Sequence, residues 1–515
     1  MASKDSTSFG TFSANVGQMT SAAIFRTSAV PAGGPSSWAD QTVSIQLRTH
    51  RREIDPFDYA RRNNEAITTQ QSRKQVFDRI SAVAEMLFAA QQRVFLFMLF
   101  IVGRRVRLLR WDRAGLIVTP AIDYYEHPHT VCDMLWRIGH LDDSALGFDP
   151  SASRVLPGDA NFTQMDFFGL RGDADLSDAE RRLQESELGP HLVFEYVRSL
   201  FRASLASDWP RYKLQVGEGD RTREFLVGKP TFLAEDVIGR GTRGYVALDC
   251  ETGRFVWLKD CWRAAYMTAE TEGQVLRKLN AAGVQHVPTL VCEGDVRKQA
   301  TITADWWERT RAHASALPQS QICSSPAPSS ATSAWAASSG SKKRKQGAEP
   351  AGLTAMSQRC EARPGATVPL ECPLRQHRHY RIVVEEVCMP LKDFRYGRQL
   401  VAIVADCVLG ASERGLCPLS ALTVMHTAHY QAATNPRTRI LHCDISGGNI
   451  LIYPRIKRDS DGNNPILVWT GLLTDWELSK PVDAHDQASP ATQTDRMVGP
   501  HSIVLHFRLL MAAHA

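Results

Sequence analysis

The sequence predicts an α+β fold: an N-terminal α+β extension, then a β-rich unit, then a helical unit ending in two strands. Three patterns point to it. Phe77, Ile80, Ala84, Leu87 and Phe88 recur at helical spacing, and apolar runs at 94–102 and 106–111 turn at Gly103. A glycine-punctuated stretch, IGRGTRGYV, precedes the strand-like run FVWLKD. Late in the chain, apolar runs at 450–453 and 471–474 flank RIKRDSDGNNP, which reads as a long hairpin loop.

Taken in order, the 515 residues allow two or three domains. Residues 1–44 are polar and lack the basic start and apolar core of a signal peptide, so a disordered tail is expected. Residues 45–220 form the N-terminal α+β domain, with one helix, an antiparallel meander completed by a strand at 116–119, and a further helix at 194–206. Its role is not named by any motif; a docking or regulatory module is the expectation. Arg104 to Arg107 and Arg110 to Arg113 are basic, which solvated strand edges explain. The apolar run at 94–102 is too short to cross a bilayer, so no membrane partner is expected. A net charge of +5 on a chain with 60 basic and 55 acidic residues does not argue for specific nucleic acid. Eleven cysteines without a C-x-x-C pair suit a reducing, intracellular compartment rather than a metal cluster or disulfide framework.

Residues 221–303 form the β-rich unit. Gly239, Gly241, Gly244 and Val246 follow the pattern G-x-G-x-x-G-x-V, in which glycines let backbone approach phosphates closely. Lys259 lies in the next strand and can pair with the phosphates. A helical stretch at 264–279 places Glu272, Leu276 and Leu279 on one face, so Glu272 can meet Lys259; Glu270 is the rival. Residues 304–376, rich in Ser, Ala, Pro and Gln, are expected to be a disordered insertion. The cluster Lys342, Lys343, Arg344 and Lys345 within it allows nuclear as well as cytoplasmic residence. Residues 377–499 begin with a strand at 380–387 and continue with helical patterning at 399–408 and again before Arg439. Residues 500–515 match no pattern.

His442, Asp444 and Asn449 have the spacing H-x-D-x-x-x-x-N, and Asp475 ends the last apolar run. Phosphoryl transfer from ATP needs a carboxylate facing the acceptor hydroxyl, and an amide oxygen plus a second carboxylate to hold Mg²⁺. Asp444, Asn449 and Asp475 supply these in that order. His442 reads as a packed structural histidine.

The glycine loop, Lys259, Glu272, HCDIS-GGNIL and DWELS, with EGQVLRKLNAAGV and residues 92–128, resemble the fungal-type protein kinase family within the eukaryotic protein-kinase fold. The resemblance runs discontinuously from about Phe57 to about Gly499. It implies a two-lobe domain, β-rich small lobe and helical large lobe, that transfers the γ-phosphate of ATP to serine or threonine hydroxyls of an unidentified protein substrate with Mg²⁺. By the same resemblance, Glu385, Glu386 and Val387 lie at the hinge that meets adenine.

Some residues depart from the pattern. Cys443 stands where an arginine reads a phosphorylated activation segment, and Glu477 replaces the glycine of D-F-G. Residues 409–425 look inserted. The chain ends at Ala515, which predicts an incomplete large lobe and impaired turnover. Two other readings stay open: a catalytically inactive kinase-like scaffold, and a small-molecule phosphotransferase of the aminoglycoside or choline kinase type, which also uses a late D-W-E.

Overall fold

The computed structural model describes residues 22–26, 37–48, 54–58, 67–170, 172, 175–189, 192–217, 222–234, 236–265, 270–316, 375–408, 427–458 and 464–482. The expected nuclear-import cluster, the apparent insertion at 409–425 and the C-terminal stretch 500–515 lie outside them.

The first sheet has six strands. Leu96–Val102, Arg105–Asp112 and Gly115–Val118 form the expected meander, with Ile122–Asp123 also on Arg105–Asp112. On its other side Gln41–Arg48 pairs in parallel with Leu96–Val102, and Ala22–Phe25 pairs with Gln41–Arg48. A parallel pair needs a crossover, and the helix Ile67–Ala90 supplies it. Its Ile80, Val83, Leu87 and Phe88 bury against Met98, Phe100, Leu109 and Trp111. This corrects the disordered tail expected over 1–44: residues 22–25 and 41–44 are in strands. The physical reason is the period-2 alternation of Val43, Ile45 and Leu47, which suits a strand inside a sheet.

The second sheet is antiparallel with eight strands. Its order is Leu290–Ala300, His377–Val384, Phe255–Ala264, Arg243–Asp249, Arg223–Val227, Arg211–Val216 and Ala152–Val155, with Phe232–Leu233 added on Arg243–Asp249. The boundary expected at 220/221 therefore falls inside one sheet, because Arg211–Val216 pairs along its length with Arg223–Val227. Helix Glu195–Ser204 covers one face, where Val197 and Phe201 join Val246, Leu248 and Val387.

A third sheet joins Met389–Pro390, Ile450–Arg458, Pro465–Leu473 and Arg181–Arg182. The helix Gly397–Val408 packs on it so closely that a Cβ on Gly471 would meet the Ile403 carbonyl at 2.1 Å. One apolar core runs from helix Glu272–Ala281 through Tyr380 and Ile382 to Ile450, Leu473 and Trp476. It fixes the glutamate-bearing helix against the strands that flank the candidate site.

Two expectations are corrected. The helix expected over 264–279 begins at Glu272, because the strand Phe255–Ala264 runs on and Thr271 caps the helix with Gln274 in a reciprocal capping box. The stretch 304–376 is not disordered from its start, since Thr303–Ala316 is helical. Ala304 and Thr303 are buried there, and the Ile302 and Thr303 amides donate to Asp112, so tertiary contact outweighs composition.

Candidate nucleotide and metal site

The short strand Ile440–Leu441 pairs with Lys480–Pro481 and closes the loop carrying His442, Asp444 and Asn449. His442 is fully buried. Its Nε2–H donates to the Thr474 carbonyl at 2.8 Å, and its Nδ1 accepts from the Asp444 amide at 3.3 Å. Its ring meets Trp476 edge-on at 4.6 Å between centroids. Burial pushes its pKa down, in keeping with one protonated nitrogen. His442 therefore pins two chain segments together. The Asn449 side-chain amide donates to the Asp444 carbonyl at 2.8 Å and to Asp444 Oδ2 at 3.1 Å. The Thr474 amide donates to the Asn449 carbonyl at 2.8 Å, which sets Asp475 beside this loop. Cys443 and Asp475 have φ of 64° and 63°, uncommon for residues with a Cβ.

Lys259 lies between two acids. Its Nζ donates to Glu272 Oε2 at 2.8 Å and to Asp475 Oδ1 at 2.7 Å. Burial alone would lower the lysine pKa, but Glu272 and Asp475 outweigh it and hold the ammonium charged. Burial would likewise raise the pKa of Asp475, yet Lys259 and Arg240 pull it down to about 2. The rival Glu270 instead pairs with Lys278 on the helix exterior. Glu272 is held in place from behind: the Gly273 amide donates to the Tyr380 hydroxyl at 2.9 Å, and a Cβ at Gly273 would meet Glu293 at 2.2 Å.

In the glycine stretch, Gly239 and Gly241 take φ of 114° and 48°, a conformation glycine adopts without strain. Gly244 sits opposite Lys259 in the sheet, and a Cβ there would meet the Trp257 ring at 2.3 Å. Between the first two glycines Arg240 reaches over to form an ion pair with Glu477, and its guanidinium lies 3.6 Å from Asp475. Oxygens of Glu272, Asp475 and Glu477 all lie within 4.8 Å of one another, and Lys259 and Arg240 offset them.

The hinge residues follow His377–Val384. The Glu385 amide donates to the Thr289 carbonyl at 3.0 Å. The Glu386 carboxylate is buried, which raises its pKa, and accepts from Thr289 N–H and Oγ–H at 2.8 and 2.7 Å. The Val387 carbonyl accepts from the Tyr196 hydroxyl at 2.5 Å. Val246 and Val387 are buried together in the cluster that Trp257 also borders.

Lys259, Glu272 and Asp475 therefore converge, and Asp444 and Asn449 touch. Sequence reasoning did not single out Arg240, Tyr196 or Trp257, and it read Arg113 as part of a solvated strand edge, whereas Arg113 is buried. Arg240 had a local signal, a charge at an x position of the glycine pattern; the other three act across long sequence separations.

A family model described as fungal protein kinase matches residues 52–414, more than half of the chain, and the chain belongs to that family. Membership supports a phosphotransferase. The match ends before His442, so the roles of Asp444, Asn449 and Asp475 rest on their own geometry. No curated protein and no solved structure matches the chain. Among the described residues no helix is long and apolar enough to cross a membrane.

Proposed function

We propose that the chain is an ATP-dependent protein kinase that transfers the γ-phosphate to serine or threonine hydroxyls. In this reading the eight-stranded sheet with helix Glu272–Ala281 is the small lobe. The third sheet with helices Gly397–Val408 and Ala428–Thr434 belongs to the large lobe. The observation that supports it most is Lys259 held between Glu272 and Asp475 at 2.8 and 2.7 Å, across 216 residues of sequence separation from the second acid. A lysine so placed is fixed as a cation aimed at the anionic end of a nucleotide.

Mg²⁺ fits the donor set. Asp475 stays ionised at any physiological pH, and Asn449 spends its amide nitrogen on Asp444, which leaves the amide oxygen for a cation. Two hard oxygen donors suit this ion. Bound there with ATP, the metal would offset phosphate charge. Lys259 would give up Asp475 as a partner while Glu272 keeps it in place. Asp444, oriented by the Asn449 amide, would accept a hydrogen bond from the acceptor hydroxyl and take its proton as the new phosphorus–oxygen bond forms and the bond from the γ-phosphorus to the bridging oxygen breaks, with ADP leaving. Arg240 must leave Glu477 or turn toward the incoming phosphates.

The test is transfer from radiolabelled ATP to a generic protein substrate by the chain and its Asp444→Ala and Lys259→Ala forms. Transfer that depends on both residues is expected. Nucleotide binding without transfer would favour the inactive scaffold, and transfer to an aminoglycoside or choline but not to protein would favour the small-molecule phosphotransferase.

A further inference from the structure

The glycine-rich loop is attached to the N-terminal sheet through Arg113, at the turn between Arg105–Asp112 and Gly115–Val118, and Val237 just ahead of its first glycine packs in the same core as Trp111. The Arg113 carbonyl accepts from the Gly239 amide at 2.8 Å. Its guanidinium donates to the carbonyls of Asp236 and Val237 at 3.1 and 3.0 Å. The same group lies over the Phe88 ring at 4.5 Å, at the end of helix Ile67–Ala90. It also presses on Gly241, where a Cβ would stand 2.4 Å from the guanidinium carbon. Arg113 is 4% exposed. One buried side chain thus grips the loop before its first glycine, through main-chain carbonyls, and at its second.

Arg243, further along the loop, repeats the attachment. It donates to the Phe88 and Gln91 carbonyls at 3.3 and 3.2 Å and pairs with Asp260 at 2.9 Å. Between these two arginines the backbone of Arg240 is held by the Trp262 amide at 2.7 Å. A loop of glycines has high conformational entropy, so contacts that fix it before a ligand arrives lower the cost of binding that ligand.

We propose that Arg113 is a positioning residue for nucleotide phosphates: it holds the glycine-rich loop at the height that lets its backbone and Arg240 meet them over Lys259 and Asp475. The N-terminal sheet is then a working part of the nucleotide site, and not a detachable docking module. This rests on the kinase reading above. The Arg113 Nη1 meets both carbonyls while the planar face of the group lies on Phe88, a stacking that the compact ammonium of a lysine does not reproduce.

The test uses the full chain with Arg113→Lys and Phe88→Leu, which disturb the contact between guanidinium and ring from its two sides, and their double variant. Hydrogen–deuterium exchange of the nucleotide-free protein reads the hold directly, calorimetry with MgADP reads its consequence, and a melting curve controls for folding. Each single variant is expected to speed exchange about tenfold in peptides covering 236–244, leave peptides covering 440–458 unchanged, and weaken MgADP about tenfold. The double variant is expected to be no worse than the stronger single one, because both act through one contact. Unchanged loop exchange in both singles, exchange that rises evenly over the chain, or effects that multiply would overturn the proposal. Should Arg113→Lys not fold, Phe88→Leu alone decides by the same exchange criterion. If the wild-type chain binds no MgADP, the kinase reading fails, and the exchange pattern still decides whether Arg113 holds the loop.

Discussion

Lys259 and Asp260 are neighbours on one strand, point to opposite faces of it, and meet opposite fates. Lys259 faces the candidate site, where its acid partner Asp475 keeps 27% of its side chain exposed. Asp260 faces inward and is 1% exposed. It accepts from Arg243 at 2.9 Å, His379 at 2.5 Å and Arg381 at 3.3 Å, and Arg381 passes the chain on to Asp149 at 2.6 Å and Ser151 at 2.8 Å. Both clusters pair carboxylates with cationic side chains. The inward one is sealed and ties residues 149–151 to the central strands, so its charges cannot be exchanged for a ligand's. The outward one is open on one side, so a metal ion and phosphates can replace one partner of each charge without stranding another. Burial, more than charge, separates a structural ion network from a binding site here.

The comparison breaks if substitutions on the two faces behave alike. Asp260→Asn strands two buried arginines and is expected to cost about 3–5 kcal/mol of stability, whereas Asp475→Asn leaves Lys259 with Glu272 and is expected to cost about 1 kcal/mol or less; urea denaturation of both variants decides. On activity the order reverses. Lys259→Met is expected to lower phosphate transfer roughly 100-fold or more while the melting curve changes little.

Acid sharpens the contrast further. Burial would raise the Asp260, Asp149 and Asp475 pKa values, but their cationic partners hold each below the ordinary 3.8, to about 2 for Asp149 and Asp475. Carboxylates depressed in the folded state give stability that is complete above their unfolded pKa and is lost as pH falls through the folded one. Stability is therefore expected to fall as pH drops from about 4 to about 2, and Asp260→Asn should flatten that slope more than Asp475→Asn does, as followed by circular dichroism. The smallest effect is at the loop. Arg240 is 39% exposed beside Glu477, so Glu477→Gln is expected to change stability by less than about 1 kcal/mol and to tighten MgADP binding about threefold by removing a negative charge next to the phosphates, as read by calorimetry.

The outward cluster was largely legible in the sequence and the inward one was not. Asp444 and Asn449 stand five residues apart in one loop, Lys259 lies within a strand, and Glu272 and Asp475 lie at the edge of elements whose pattern is visible, so order along the chain sufficed. Glu272 was chosen over Glu270 from the face it shares with Leu276 and Leu279; the cap at Thr271, which puts Glu270 ahead of the helix, is a second signal present in the sequence and not used. By contrast Asp149, Asp260 and Arg381 look like surface charges until distant strands bury them. The pairing of Ala152–Val155 with Arg211–Val216, and of Arg181–Arg182 with Pro465–Leu473, joins strands of two to nine residues across long separations, where short local patterns have no reach. The strand Gln41–Arg48 was legible through its alternation, but the polar composition around it was weighed more heavily.

The central claim is that Asp444 serves a phosphate-transfer site assembled around Lys259 and Asp475. Transfer of label from ATP to protein, measured side by side for the wild-type chain and Asp444→Ala at equal MgADP affinity, tests it most directly. The account predicts transfer by the first, and loss of transfer with retained nucleotide binding by the second. Equal transfer by both proteins would contradict it.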